Sequence, residues 1–218
     1  MNFVTLLSKN LLDFIFPKST IALKLENILT SEMLAIFPSP RALKGENTIA
    51  LFDYQDQNVR DLVWEIKYSA NRTLARKVAE IAYEVLCHEL AERVLFENFI
   101  NPILCPMPIS KERLREKGFN QAEIICEEIK KLDKENLFTY DPKILIKIKH
   151  TESQTKSVNK SERLKNIEGS MLGDNQKLHK KCVVLMDDVI TTVATASEAM
   201  RALRQAGARK ILVLSIAH

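Results

Sequence analysis

The chain has 218 residues, with 32 Lys and Arg against 28 Asp and Glu and a formal charge of +4. Hydrophobic residues make up 46%, and only 5 Gly and 7 Pro occur, which excludes collagen-like, low-complexity and disordered chains and fits one α/β domain with a small appendage. Cys87, Cys105, Cys126 and Cys182 form no CxxC pair, and no run reaches the roughly 18 apolar residues of a membrane span. No structural zinc, no membrane span and a reducing cytoplasm are therefore expected.

Residues 3–36 place apolar clusters at helical spacing, predicting one or two small helices around Pro17. Pro38-Ser39-Pro40 marks a break, so residues 1–40 read as an N-terminal segment and 41–218 as the main domain. Thr48–Tyr54 predicts a strand, and Leu74, Val78, Ile81, Ala82 and Val85 predict one long helix over about 58–96. Trp64 and Tyr68, four residues apart, read as a packing pair on that helix in preference to a base-stacking platform. Ile103–Cys105 predicts a short buried strand stopped by Pro106 and Pro108. Asn120 resembles a helix N-cap, followed by Ala122, Ile125, Ile129 and Leu132 on a buried face.

Ile144–Ile148 predicts a further strand, followed by a polar stretch from Lys149 to about Gln176. From Lys143 to Lys181 ten Lys and Arg stand against four Asp and Glu, a local +6, while the remainder sums to −2. Such a stretch suits an anionic ligand or nucleic acid, or is a solvated loop. Its shortage of apolar residues predicts a mobile flap, with Lys156, Lys160, Arg163 and Lys165 as its cations. Cys182–Met186 is the apolar run of a central parallel strand, Thr195–Ala206 is helical with Gly207 at C′, and Ile211–Ile216 is the last strand. Together they form a βαβ unit of an open parallel sheet.

The chemistry is densest between that strand and helix. Ligands of open α/β sheets bind at the carboxyl ends of strands. Asp187 and Asp188 stand there as two adjacent carboxylates, able to accept from sugar hydroxyls or hold a divalent cation. Thr191, Thr192 and Thr195, with the N–H groups of Val193 and Ala194, form an anion cradle at a helix start. An acid pair followed by a phosphate cradle suggests a ribose phosphate. Arg113 and Arg115 lie beside the loop after the Ile103 strand; they could hold a pyrophosphate or pair with Glu112 and Glu116 in solvent. The four histidines are scattered and read as surface or core.

The stretch Val183–Ala199, VVLMDDVITTVATASEA, resembles the phosphoribosyl-pyrophosphate (PRPP) signature of type I phosphoribosyltransferases. The resemblance implies that Asp187 and Asp188 face the ribose hydroxyls and that Thr191–Thr195 wraps the 5-phosphate. Where the family usually has Gly, this chain has Val193. Either the backbone there is ordinary, or a β-branched residue at φ > 0 weakens phosphate binding.

Further segments are similar to the competence-associated ComF/ComFC branch. They are Cys105-Pro106-Met107-Pro108-Ile109-Ser110 with Arg113, Arg115 and Gly118-Phe119-Asn120-Gln121; Lys67-Tyr68 after Ile66; and Gln154, Arg163 and Asn166 of SQTKSVNKSERLKNIEG. Lys117 replaces the usual Arg before Gly118. The resemblance implies pyrophosphate contacts from Met107, Ser110, Arg113 and Arg115. Leu11–Pro17 looks like the segment that precedes a four-cysteine zinc finger in many relatives, but no cysteine follows before Cys87, so residues 1–40 read as a cysteine-less remnant. Two functions stay open: binding PRPP with Mg²⁺ while handling single-stranded DNA beside the uptake machinery, or transferring the phosphoribosyl group to an unnamed acceptor.

Overall fold

A computed structural model describes residues 20–40, 47–149, 167–190 and 193–218, with the backbone alone at Val193. In chain order the elements are α1 (Thr20–Asn27), α2 (Thr30–Ile36), β1 (Thr48–Phe52), α3 (Gln57–Ser69), α4 (Arg72–Glu97) and β2 (Ile103–Pro106). After these come α5 (Lys111–Lys117), α6 (Gln121–Leu132), β3 (Thr139–Tyr140), β4 (Leu145–Lys147), β5 (Met171–Gly173), α7 (Asn175–Leu178), β6 (Cys182–Val189), α8 (Val193–Gln205) and β7 (Lys210–Ala217). Among the described residues no helix is long and apolar enough to cross a membrane.

Five strands form a parallel sheet in the order β1-β7-β6-β2-β3, the open α/β architecture that the βαβ pattern predicts. Side chains alternate along β6, so its apolar run feeds two cores. Val184 and Met186 join Leu212 and Leu214 against α1–α4 and α6. Val183 and Leu185 join Ile211 and Val213 against α8 and the β4–β5 pair. Ala22, Leu25, Met33 and Phe37 of the N-terminal segment lie in the first of these cores.

Three expectations need correction. The helix over 58–96 is two helices, because Ala70 turns left-handed (φ 48°) to cap α3 and Asn71 caps α4 by accepting the Leu74 N–H at 3.1 Å. The Ile144–Ile148 strand contributes β4, which pairs antiparallel with β5 and stands outside the parallel sheet. The polar stretch before Cys182 also contains docked structure: Met171 and Leu178 are buried, and the Met171 N–H donates to Glu198 of α8 at 3.2 Å. Residues 150–166, which hold most of the expected flap, lie outside the described residues.

At Gly173 an added Cβ would sit 2.7 Å from the Ala206 Cβ and 2.9 Å from the Ala202 carbonyl oxygen. That close approach of β5 to α8 admits no side chain. Gly173→Ala is expected to lower the unfolding free energy by about 1–3 kcal/mol in urea titration.

Candidate functional site

The acid pair lies inside β6, not in a loop after it as the sequence pattern suggests, because pairing with β7 continues to Val189 opposite Ala217. Alternation along the strand makes the two side chains leave it on opposite sides, yet their carboxyl groups bend close enough to interact directly. Each accepts the backbone N–H that follows it: Asp188 N–H to Asp187 at 2.8 Å and Val189 N–H to Asp188 at 2.8 Å. Both side chains are buried.

Asp188 is the compensated member. Its Oδ2 meets the Lys67 ammonium of α3 at 3.1 Å and accepts from Gln121 Nε2 of α6 at 2.9 Å. Gln121 in turn accepts from the Lys117 ammonium at the end of α5. That ammonium lies 4.7 Å from the Phe119 ring centroid and 5.7 Å from that of Tyr68. Burial lowers the Lys117 pKa to about 8; Asp188 opposes the shift, while Arg113 and Lys67 add to it by repulsion.

Asp187 is the uncompensated member. Burial, and then the charge of Asp188, push its carboxyl well above the usual range, against a weaker pull from Lys67. The Lys147 ammonium of β4 is pushed down by burial and by Arg113, and held up in part by Asp187. Lys67, Arg113, Lys117 and Lys147 thus share one electrostatic environment with two acids. A cleft of about 340 Å³ opens beside it, between Pro108, Ile109, Leu114, Asn120 and Lys147. A larger cleft of about 890 Å³ lies between α4 and α6, away from these four cations.

The loop after β2 is tied down from two sides. The Met107 N–H donates to the Met186 carbonyl at 2.7 Å, and Asn120 Nδ2 donates to the Met107 carbonyl at 3.0 Å. Asn120 also caps α6, as its position predicts, accepting the Ala122 N–H at 3.1 Å. Met107 and Ser110 are buried, and Ser110 Oγ caps α5 through the Arg113 N–H at 3.2 Å. Arg115 is exposed, two residues from Arg113 and so on a different face of the helix.

Val193 opens α8 with helical backbone, which resolves the Gly-to-Val departure: at this position ordinary dihedrals suffice. Ala194 and Thr195 stand with it in the first turn. Thr191, Thr192, Lys156, Lys160, Arg163 and Lys165 lie outside the described residues. Lys147 and the bridging role of Gln121 escaped the sequence reading. Lys147 carries no local signal, whereas Gln121 closes the Gly118-Phe119-Asn120-Gln121 motif. Among the described residues no group of three or more His, Cys, Asp and Glu could hold a metal.

No family model matches the chain. It is 31% identical to Competence protein F of Haemophilus influenzae over 117 residues, covering 52% of this chain and 49% of that protein. It is 36% identical to Competence protein ComFC of Bacillus subtilis over 105 residues, covering 48% and 39%. The chain therefore spans half or less of the length of these curated relatives. Among solved structures it is similar to a glutamine PRPP amidotransferase from B. subtilis, with a TM-score of 0.40 and 16% identity over 80% of this chain and 32% of that one. It is also similar to a hypoxanthine phosphoribosyltransferase from Staphylococcus aureus, with a TM-score of 0.34 and 13% identity over 61% of each chain.

An anion bound beside Lys117 would meet an ammonium whose pKa burial lowers to about 8. An anion binds the protonated ammonium better, so affinity for inorganic pyrophosphate should fall as pH rises through about 8. The slope of a single proton is no more than about tenfold per pH unit. Calorimetric titration between neutral and alkaline pH checks this, and Lys117→Arg should flatten the profile because a guanidinium stays charged.

Proposed function

The two curated relatives assign the chain to the ComF/ComFC family, and from that premise we propose that it binds PRPP or a related ribose phosphate and handles single-stranded DNA. The observation that carries the reading is the acid pair at the carboxyl end of β6, with Lys67 3.1 Å from Asp188, Lys117 and Lys147 within electrostatic reach of the acids, Arg113 within reach of both of those lysines, and the first turn of α8 following. Carboxylates recognise ribose hydroxyls, while ammonium, guanidinium and helix N–H groups recognise phosphate. The relatives' names as competence proteins support the DNA part.

Mg²⁺ fits this donor set. Asp187 is a buried carboxylate that lacks a full counter-charge, and it would hold the ion with Asp188, the remaining positions going to ligand phosphates and water. When bound, the ion would neutralise phosphate charge. Lys67 and Gln121 hold and orient Asp188, and the Met107–Asn120 contacts fix the loop beside it.

Asp188→Asn is expected to weaken PRPP binding by about 1–3 kcal/mol in calorimetry with Mg²⁺ present; unchanged affinity would remove the assignment. Phosphoribosyl transfer is a second reading, favoured by the cations that would stabilise departing pyrophosphate. In that reaction an acceptor lone pair forms the bond to the anomeric carbon as its bond to the pyrophosphate oxygen breaks. Acceptor-dependent release of pyrophosphate, lost in Asp188→Asn, is the outcome expected of an enzyme.

A further inference from the structure

The expected packing pair is not packed. Trp64 is 55% and Tyr68 57% exposed, one turn apart on α3, with ring centroids 5.4 Å apart and planes tilted by 41°. The opposite face of α3 is fixed: Val59, Leu62, Val63 and Ile66 are buried in the core. Two large rings thus face outward, meeting each other and, at Tyr68, the Lys117 ammonium, with more than half of each side chain open to solvent.

Their surroundings are cationic. Exposed Arg60 lies one turn before Trp64 on the same stripe, at i, i+4 and i+8 with Tyr68. Lys117 stands over the edge of the Tyr68 and Phe119 pair, and Lys67, next in chain to Tyr68, grips Asp188. Arg60 itself donates to Gln57 at 2.8 Å, Glu65 is buried, and the half-buried Asp61, which accepts from Gln57 at 2.9 Å, is an acidic neighbour one turn before Trp64. Protein hot spots also use Trp, Tyr and Arg, but in desolvated pockets, whereas these rings stand on the open face of a helix. Open aromatic faces bordered by ammonium and guanidinium groups suit unpaired bases on an anionic backbone, whereas a duplex keeps its bases stacked within.

We propose that this face of α3 is where single-stranded DNA docks, its bases stacking on Trp64 and Tyr68 and its phosphates meeting Arg60, Lys67 and Lys117. The inference rests on the DNA-handling part of the proposed function and gives it a surface continuous with the ribose-phosphate site.

Trp64 is the only tryptophan in the chain, so intrinsic fluorescence reports on this face alone. The full chain is titrated with an end-labelled oligodeoxythymidylate of about 16 nucleotides, following label anisotropy and tryptophan emission, with PRPP calorimetry in parallel. Saturable quenching is expected alongside the anisotropy change. Trp64→Ala and Tyr68→Ala should each weaken oligonucleotide binding by about 5- to 100-fold, with thermal unfolding unchanged in both and PRPP affinity unchanged in Trp64→Ala. Arg60→Gln should lower the slope of log affinity against log salt by about one. Oligonucleotide binding that neither quenches Trp64 nor responds to these variants would overturn the surface and leave DNA handling standing. Failure of the unaltered chain to bind the oligonucleotide would overturn both. Equal quenching by thymidine monophosphate at matched base concentration, or self-association lost in Trp64→Ala with DNA affinity intact, would each assign the face to another occupant and overturn the proposal.

Discussion

The site depends on β6 being paired on both sides and covered on both faces. A strand in that position can carry only apolar residues until it emerges, and Val183 to Met186 obey this. Carboxylates at its last paired positions are still buried, so they need partners, and the parallel sheet brings those partners from far along the chain. Lys67 and Gln121 come from helices before and after β2. Asp188 takes its partners from α3 and α6, while Asp187 interacts with Asp188 itself and with Lys147 of β4. Two adjacent residues thereby acquire different environments.

That asymmetry sets the electrostatics. Asp188 has a cation and an amide donor, and Asp187 has neither at bonding distance beyond its neighbour's N–H. Burial therefore drives Asp187 towards its neutral form and, on the other side of the charge balance, drives Lys117 and Lys147 towards theirs. Each group sits where its charged form is under-solvated. A ligand bringing phosphate to the ammonium groups and a divalent cation to the acids would relieve both strains together.

The neighbouring elements act as braces. Asn120 spends its carbonyl oxygen on capping α6 and its amide on the Met107 carbonyl, so one side chain joins helix and loop. On the other face, Arg201 pairs with Glu198 at 2.7 Å, and Glu198 receives the Met171 N–H. Glu198 is thereby kept ionised, its carboxyl held below the usual range chiefly by Arg201. With the close approach at Gly173, this fixes β5 against α8 and places Lys147, through β4, beside the acid pair.

The sequence by itself determined the parallel sheet, through the apolar runs of β6 and β7 and the helix between them with Gly207 at φ 94°. It also determined the acid pair and the cap at Asn120, because those signals are local: spacing, punctuation and motif. Only the tertiary structure decided that the acids belong to the strand itself, since the length of a strand is set by its neighbour's pairing. The break at Ala70, the antiparallel strand pair that carries Lys147 and the outward Trp64 and Tyr68 were likewise decided by packing. An i, i+4 aromatic pair reads the same on a buried face as on an exposed one, and only the core formed by Val59, Leu62, Val63 and Ile66 settles which way α3 turns.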